Sequence, residues 1–365
     1  MTGLRPKRTA FAPGFTLLEM MIASFMISVI VVAALSVYAR SNRTASDQQQ
    51  YAQLQQDVRA AMYFVSRDVR MAGTGLPENY RAAYMEGWDN ENQGVTVRPD
   101  RLRVMGNTDL PFSETIVSLN GSGLKLNLND YCLSQHSYEA ADYAGLIVLI
   151  LPAPGAPCWS TTLREITYVQ EQTDGTDVWM NFTHGRAQYI NPPGGLNALC
   201  PDDDYIGGTI LLADVREYWL DVTGNASGLT AGMNGYIGGG VGGVLYVTHN
   251  GVHNAVAQNI ENFQLQYNGD MDADGDLDGF TNWNSAWTAA ERALIRDVRI
   301  WVLGRTPARF ASIPAYASRD TALYRRPQLA NSEAAEEDDW HKRFLMESTT
   351  NIRNLSLDIH NKDQR

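Results

Sequence analysis

Hydrophobic and polar positions change their spacing twice along the chain, and each change predicts a different kind of element. Residues 14–39, GFTLLEMMIASFMISVIVVAALSVYA, are apolar almost without interruption, and Glu19 is the single charged side chain among them. From residue 15 to residue 72 there is neither Gly nor Pro, so this stretch can run as one continuous helix, about 87 Å long at 1.5 Å per residue. Past residue 40 the apolar residues thin to one helical face: Leu54, Val58, Ala61, Met62, Val65 and Val69, with Arg59, Ser66, Arg67, Asp68 and Arg70 elsewhere around the wheel. An amphipathic helix of this kind lies on something apolar. Gly73, Gly75 and Pro77 in MAGTGLP end it.

Beyond Pro77 the period shortens to that of strands. VTVRPDRLRVMG, ETIVSLN, AGLIVLILP, REITYVQ, DVWMNF, VREYWLDV, GVLYVTHN, NFQLQYNGD and RDVRIWVLGRT are short, rich in β-branched and aromatic residues, and separated by Gly, Pro, Asn and Asp. Alternation is visible in several, as where Arg299, Trp301 and Leu303 fall opposite Ile300, Val302 and Gly304. No regular series of helices intervenes, so the sheet is expected to be mainly antiparallel and the class α+β. Four segments follow: a basic leader, 1–14; a membrane-spanning helix, 15–40; its amphipathic outer half, 41–76; and a β-rich head, 77–365. The turn-rich stretches 185–208 and 222–243 read as surface insertions, and 331–339, with its run Glu336, Glu337, Asp338 and Asp339, as solvated loop.

Composition narrows the partners. With 365 residues and 44% hydrophobic content the chain can build a sizeable core. A formal charge of −12 and a pI near 5.0 argue against nucleic acid, which needs clustered Lys and Arg. The three cysteines, Cys132, Cys158 and Cys200, show no C-x-x-C spacing; one disulfide and one thiol are expected of an exported head, with the pairing left open.

Arg5, Lys7 and Arg8 precede the apolar run and hold that end in the cytoplasm. A secretory signal cut after Val37-Tyr38-Ala39, or a plain signal anchor of about 37 Å, would account for the length but not for Glu19. A carboxylate at the centre of a spanning helix costs on the order of 2.5 to 3.5 kcal/mol, less near the end, and such residues mark function. Gly14 followed by FTLLE and a long apolar helix resembles the type III signal of the type IV pilin family. That resemblance implies cleavage between Gly14 and Phe15 by a prepilin peptidase, methylation of the new Phe15 amine, and retention of the helix. It also implies that Glu19 neutralises the amine of a neighbouring subunit, consistent with a buried carboxylate staying charged only beside an opposite charge.

LQQDVRAAMYFVSRDVRMAG, IENFQLQYNGDMDADGDLDG, IRDVRIWVLGRT and RFLMESTTNIRNL, in that order, look like the PilW-type minor pilins. The resemblance implies a non-enzymatic subunit of the complex that starts pilus assembly and sits at the fibre tip. Its implied partners are other minor and major pilins, the inner membrane and the assembly machinery, with the head in the periplasm and then outside the cell. A pseudopilin of type II secretion, or a competence-type component, shares every N-terminal feature, although the head is large for the former. A reading of another class is a calcium-stabilised adhesin head delivered on a pilin helix. A physical argument supports assembly apart from the resemblance: an apolar helix leaving lipid must be covered by parallel neighbours, and staggered contacts that do not close generate a fibre.

A second constellation is DMDADGDLDG. Asp270, Asp272, Asp274, Asp276 and Asp278 alternate, with Gly275 at the sixth place, as in the first half of an EF-hand loop for Ca²⁺. The twelfth place is Thr281, so the completing bidentate acid is missing, and the competing reading is an acidic solvated turn. Asn282, Asn284 or a distant carboxylate would have to substitute. Other patterns carry less. Gly238, Gly240 and Gly243 fit G-x-G-x-x-G, but a strand-like VLYV follows. His249 and His253 are separated by Asn250 and Gly251, against a helical zinc pair. Asn181-Phe182-Thr183 and Asn225-Ala226-Ser227 are acceptor tripeptides of a kind that arises by chance, and no triad signature is present.

Overall fold

The computed structural model describes residues 15–76, 84–90, 98–106, 113–120, 125–129, 143–158, 162–171, 177–183, 191, 194–196, 198–222, 243–249, 252–271, 276–306, 325–333 and 341–352. The chain divides into two compact units, Met1–Ala52 and Gln53–Arg365.

The expected long helix is present as α1, Leu17–Met71. It stops where the glycines foretold: Gly73 and Gly75 take φ of +76° and +72°, the left-handed region glycine enters without a Cβ clash. The Gly73 N–H then donates to the Met105 carbonyl at 2.7 Å, anchoring the helix end to the sheet. In the first unit the apolar side chains stand exposed, Phe15 at 85% and Ile30 at 66%. By length and composition α1 is able to cross a membrane.

Among the described residues the second unit has thirteen strands, antiparallel at every pairing: β1 Met85–Trp88, β2 Arg101–Gly106, β3 Ser113–Leu119, β4 Lys125–Asn129, β5 Ile147–Leu151, β6 Thr162–Glu165, β7 Tyr168–Glu171, β8 Asp177–Asn181, β9 Thr209–Asp221, β10 Gly243–His249, β11 Val252–Gly269, β12 Ile295–Arg305 and β13 Arg343–Asn351. β9 is the hub. Its second half pairs with β10 on one edge and β2 on the other, and its first half pairs with β5 and β3. From β10 the order runs β11, β12, β13; from β3 it runs β4, β8, β7.

Two cores result. All six apolar positions read from the helical period, Leu54, Val58, Ala61, Met62, Val65 and Val69, are buried. The five larger side chains contribute about 1.5–3 kcal/mol each on burial and Ala61 less, and it is this packing rather than intrinsic propensity that holds the outer half of α1. Gly304 on β12 is the notch that admits it: a Cβ there would lie 2.5 Å from Leu54 and 2.6 Å from Val58. The alternation read on β12 therefore sorts correctly, with Gly304, Val302 and Ile300 toward α1 and Trp301 and Leu303 in a separate cluster with Leu329. The second core gathers Tyr143, Val148, Ile150, Met180, Phe182, Leu196, Cys200 and Tyr205 around the first half of β9.

Several expectations need correction. The stretch 185–208 is not a surface insertion in its described part, because Leu196, Cys200 and Tyr205 fill the second core. Asn191 is fully buried there, and its amide exchanges two hydrogen bonds with the Glu165 backbone, 2.8 and 2.7 Å, as a strand residue would. In 331–339, Ser332 is buried and pairs with Leu329, so the loop begins packed; 334–340 and 223–242 lie outside the described residues. Ser66 and Asp68, placed on the polar side of the wheel, are buried. Strands β1, β4 and β13 were not anticipated: β1 is four residues long, and β13 is a half-exposed end strand without an apolar run.

Candidate functional site

The first turn of α1 holds Glu19 in a capping box. Thr16 stands at the N-cap; its backbone N–H and its hydroxyl donate to Glu19 Oε2 at 2.9 and 3.0 Å, and the Glu19 N–H donates to Thr16 Oγ1 at 3.2 Å. Two orphan helix-end donors are satisfied reciprocally, and the carboxylate sits at the positive end of the helix dipole. Both bonds end on Oε2, and Oε1 makes no hydrogen bond among the described residues. The spacing Thr16-x-x-Glu19 carries this signal, and the reading of Glu19 as a lone acid overlooked it. Phe15 is exposed beside it, and Gly14 lies outside the described residues. Further along, Ser24, Ser28 and Ser36 donate to backbone carbonyls one turn back, at 2.7 Å each, so their hydroxyls are compatible with an apolar surround. Glu19 is then the one group of this segment whose charge calls for a partner.

The acidic loop has a closed stem. Tyr267 and Thr281 exchange backbone bonds, Tyr267 N–H to Thr281 O at 2.7 Å and Thr281 N–H to Tyr267 O at 2.9 Å. The twelfth position thus serves strand pairing. Within the loop, Asp278 accepts the Met271 N–H at 2.6 Å on Oδ2, and its own N–H donates to Gly269 O at 3.0 Å. Asp270, Asp276 and Asp278 are described; Asp272 and Asp274 lie outside the described residues. Among the described residues no three His, Cys, Asp or Glu side chains converge as a metal cradle.

Of the three cysteines, Cys158 and Cys200 form a disulfide with a Cα–Cα distance of 5.7 Å, at the edge of the second core. Cys132 lies outside the described residues.

A polar cluster under α1 was missed altogether. Asp68 accepts from Tyr218 Oη at 2.5 Å, Arg216 Nη1 at 3.0 Å and Arg67 Nε at 2.8 Å. Arg216 also reaches Asp214 at 2.9 Å, and His249 Nε2 meets the same Asp214. Burial, then the Asp68 charge and its hydrogen bond, push the Tyr218 phenol far above its ordinary value, so it remains a donor. The cluster borders a cavity of about 420 Å³. His253 instead bonds Thr248 Oγ1 through Nδ1 at 2.7 Å, so the two histidines have separate structural roles. Gly243 opens β10, as its strand-like sequel foretold. Asn181 is buried with its amide donating to Tyr168 O at 3.2 Å, which leaves no accessible glycosylation acceptor there.

No family model matches this chain, and no curated protein matches it. Among solved structures, a type IV-like pilin from Thermus thermophilus is similar at 12% identity, covering 60% of this chain and 92% of that chain, with a TM-score of 0.20. A likeness so distant carries no argument about function. The α+β class rests on the chain's own features, a long N-terminal helix whose outer half packs on a mainly antiparallel sheet.

Proposed function

We propose that this protein is a non-enzymatic minor pilin of the PilW type, held in the inner membrane by a single helix and drawn into a type IV pilus or its priming complex. The observation that carries the reading is a glycine- and proline-free helix with an exposed apolar start and one acid in its first turn. On this reading the leader is removed between Gly14 and Phe15, and the Phe15 amine is methylated. One oxygen of Glu19 is committed to its own helix cap, and the other accepts the amine of a neighbouring subunit. Only one stagger brings those groups together, so the pair sets the axial register. The apolar half leaves lipid by exchanging acyl chains for parallel helices. Prepilin peptidase, other pilins and the assembly machinery are the partners this requires. Mass spectrometry of the membrane-extracted protein tests the reading: a mature chain beginning at methylated Phe15 is expected, and one beginning at Met1 or Arg40 would overturn it.

The same features serve a type II secretion or competence pseudopilin, and a head specialised for adhesion is compatible with them. The assignment of Ca²⁺ to the Asp270 to Asp278 loop belongs to this proposal as well. The closed Tyr267–Thr281 stem favours it, since a hard cation wants several oxygens held at once in a tight turn.

A further inference from the structure

Along the outer half of α1, Arg59, Tyr63 and Arg67 stand exposed at four-residue intervals, with Arg70 beside them. They form one wall of a groove of about 490 Å³, and the facing wall is β13, through Met346 and Ser348. Four observations describe what fits. The chain carries a formal charge of −12, yet this wall is cationic, and Arg59 and Arg70 make no ion pair among the described residues. Tyr63 is 64% exposed, and exposed Tyr and Arg are the side chains that anchor protein interfaces. Ser66, buried in the same wall, has a hydroxyl without a hydrogen-bond partner among the described residues. Finally, β13 stands last in the described strand order and pairs with β12 alone among the described strands, and the end strand of a sheet is a template for a further strand.

We propose that this groove docks an extended acidic segment of a partner protein, added as a strand along β13, with its carboxylates against the arginines of α1. The dimensions agree. Eight helical residues separate Arg59 from Arg67 by about 12 Å, and side chains four apart on one face of a strand are about 13 Å apart. Glutamates at such positions would meet both guanidinium groups, while the residue between them covers Tyr63. Backbone pairing supplies affinity and the two charges supply register. The inference does not rest on the role of Glu19.

The test uses full-length protein in detergent micelles and a fluorescein-labelled Thr-Glu-Thr-Val-Thr-Glu-Thr peptide, read by anisotropy. Binding is expected, with loss of about tenfold or more in the double variant Arg59→Ala/Arg67→Ala. A peptide with lysines for the glutamates, and one N-methylated on alternate amides, are expected not to bind. No binding by the unmodified peptide, equal binding by the N-methylated one, or an unchanged double variant would each overturn the proposal. Sedimentation of the same samples addresses the other occupant: self-association that disappears in the double variant, without peptide binding, would assign the face to a second copy instead.

Discussion

Tyr218 donates its phenol hydroxyl to the carboxylate of Asp68 at 2.5 Å, joining residues 150 positions apart. With Arg216 on the same carboxylate, the pair fastens the end of α1 to the middle of β9. Removing the acid leaves the buried Tyr218 hydroxyl without its acceptor and the Arg216 guanidinium without one of its carboxylates, Asp214 remaining. Asp68→Ala is therefore expected to cost about 3–5 kcal/mol in urea unfolding, and Asp68→Asn, which keeps hydrogen-bonding atoms in place, distinctly less. Equal and small losses in both variants would show that the cluster is solvated.

Alkaline pH provides an independent view of that pair. Burial comes first among the causes that raise Tyr218 above 10; for the fully enclosed Tyr267, burial is followed by the charges of Asp100 and Asp89. A folded-state value above the unfolded one gives stability that is complete below about pH 10 and is lost as pH rises toward the folded value. Each such tyrosine is expected to add a slope of about −1.4 kcal/mol per pH unit above pH 10. Tyr218→Phe should lower stability at pH 8 but flatten the alkaline decline by about one such slope. An unchanged slope would contradict the burial assigned to the phenol.

The disulfide is testable by chemistry and by stability. Alkylation of the unreduced, denatured protein should label Cys132 and spare Cys158 and Cys200, which are joined across a sequence separation of 42. In the chain-entropy account a loop of this size is worth about 4 kcal/mol, so the double variant Cys158→Ala/Cys200→Ala should unfold at clearly lower urea. Labelling of Cys200 in the unreduced protein would refute the pairing.

For the acidic loop, equilibrium dialysis of the protein against Ca²⁺ should show uptake that Asp272→Ala and Asp274→Ala abolish. Asp278 already accepts the Met271 N–H, so Asp278→Asn is expected to weaken uptake less than either. Equal uptake by the native chain and both alanine variants would leave an acidic turn held by its Tyr267–Thr281 stem alone.

What was legible in the sequence follows from the range of each interaction. Helix period, glycine stops and strand alternation are local, so α1, its apolar face, its end at Gly73 and most strands could be read directly. Asp68 could not, because its partners lie 148 and 150 residues away and a period sees only a polar residue beside Val69. Strand β13 escaped notice for a related reason: as an end strand with alternating exposed positions, it is defined by its pairing with β12 rather than by an apolar run. Asn191 and Cys200 looked like loop residues by composition, and only tertiary packing gives the turn-rich stretch its core. At the N-terminus the interaction is wholly local: Thr16-x-x-Glu19 is a capping-box spacing, so the acid's near partner is legible in the sequence while a partner on another subunit is not.

The capping box also supplies the means of isolating charge from structure, because glutamine serves as well as glutamate at the third position of such a box. Glu19→Gln should leave the helix start intact while removing the negative charge that a neighbour's amine would meet. The decisive measurement is quantitative crosslinking of native and Glu19→Gln protein to other pilin-like subunits in the same membranes, with surface fibres counted in parallel. A fall of at least about tenfold in crosslinked partners, with normal insertion of the helix, is the expected result. Undiminished partners and equally many fibres would contradict it.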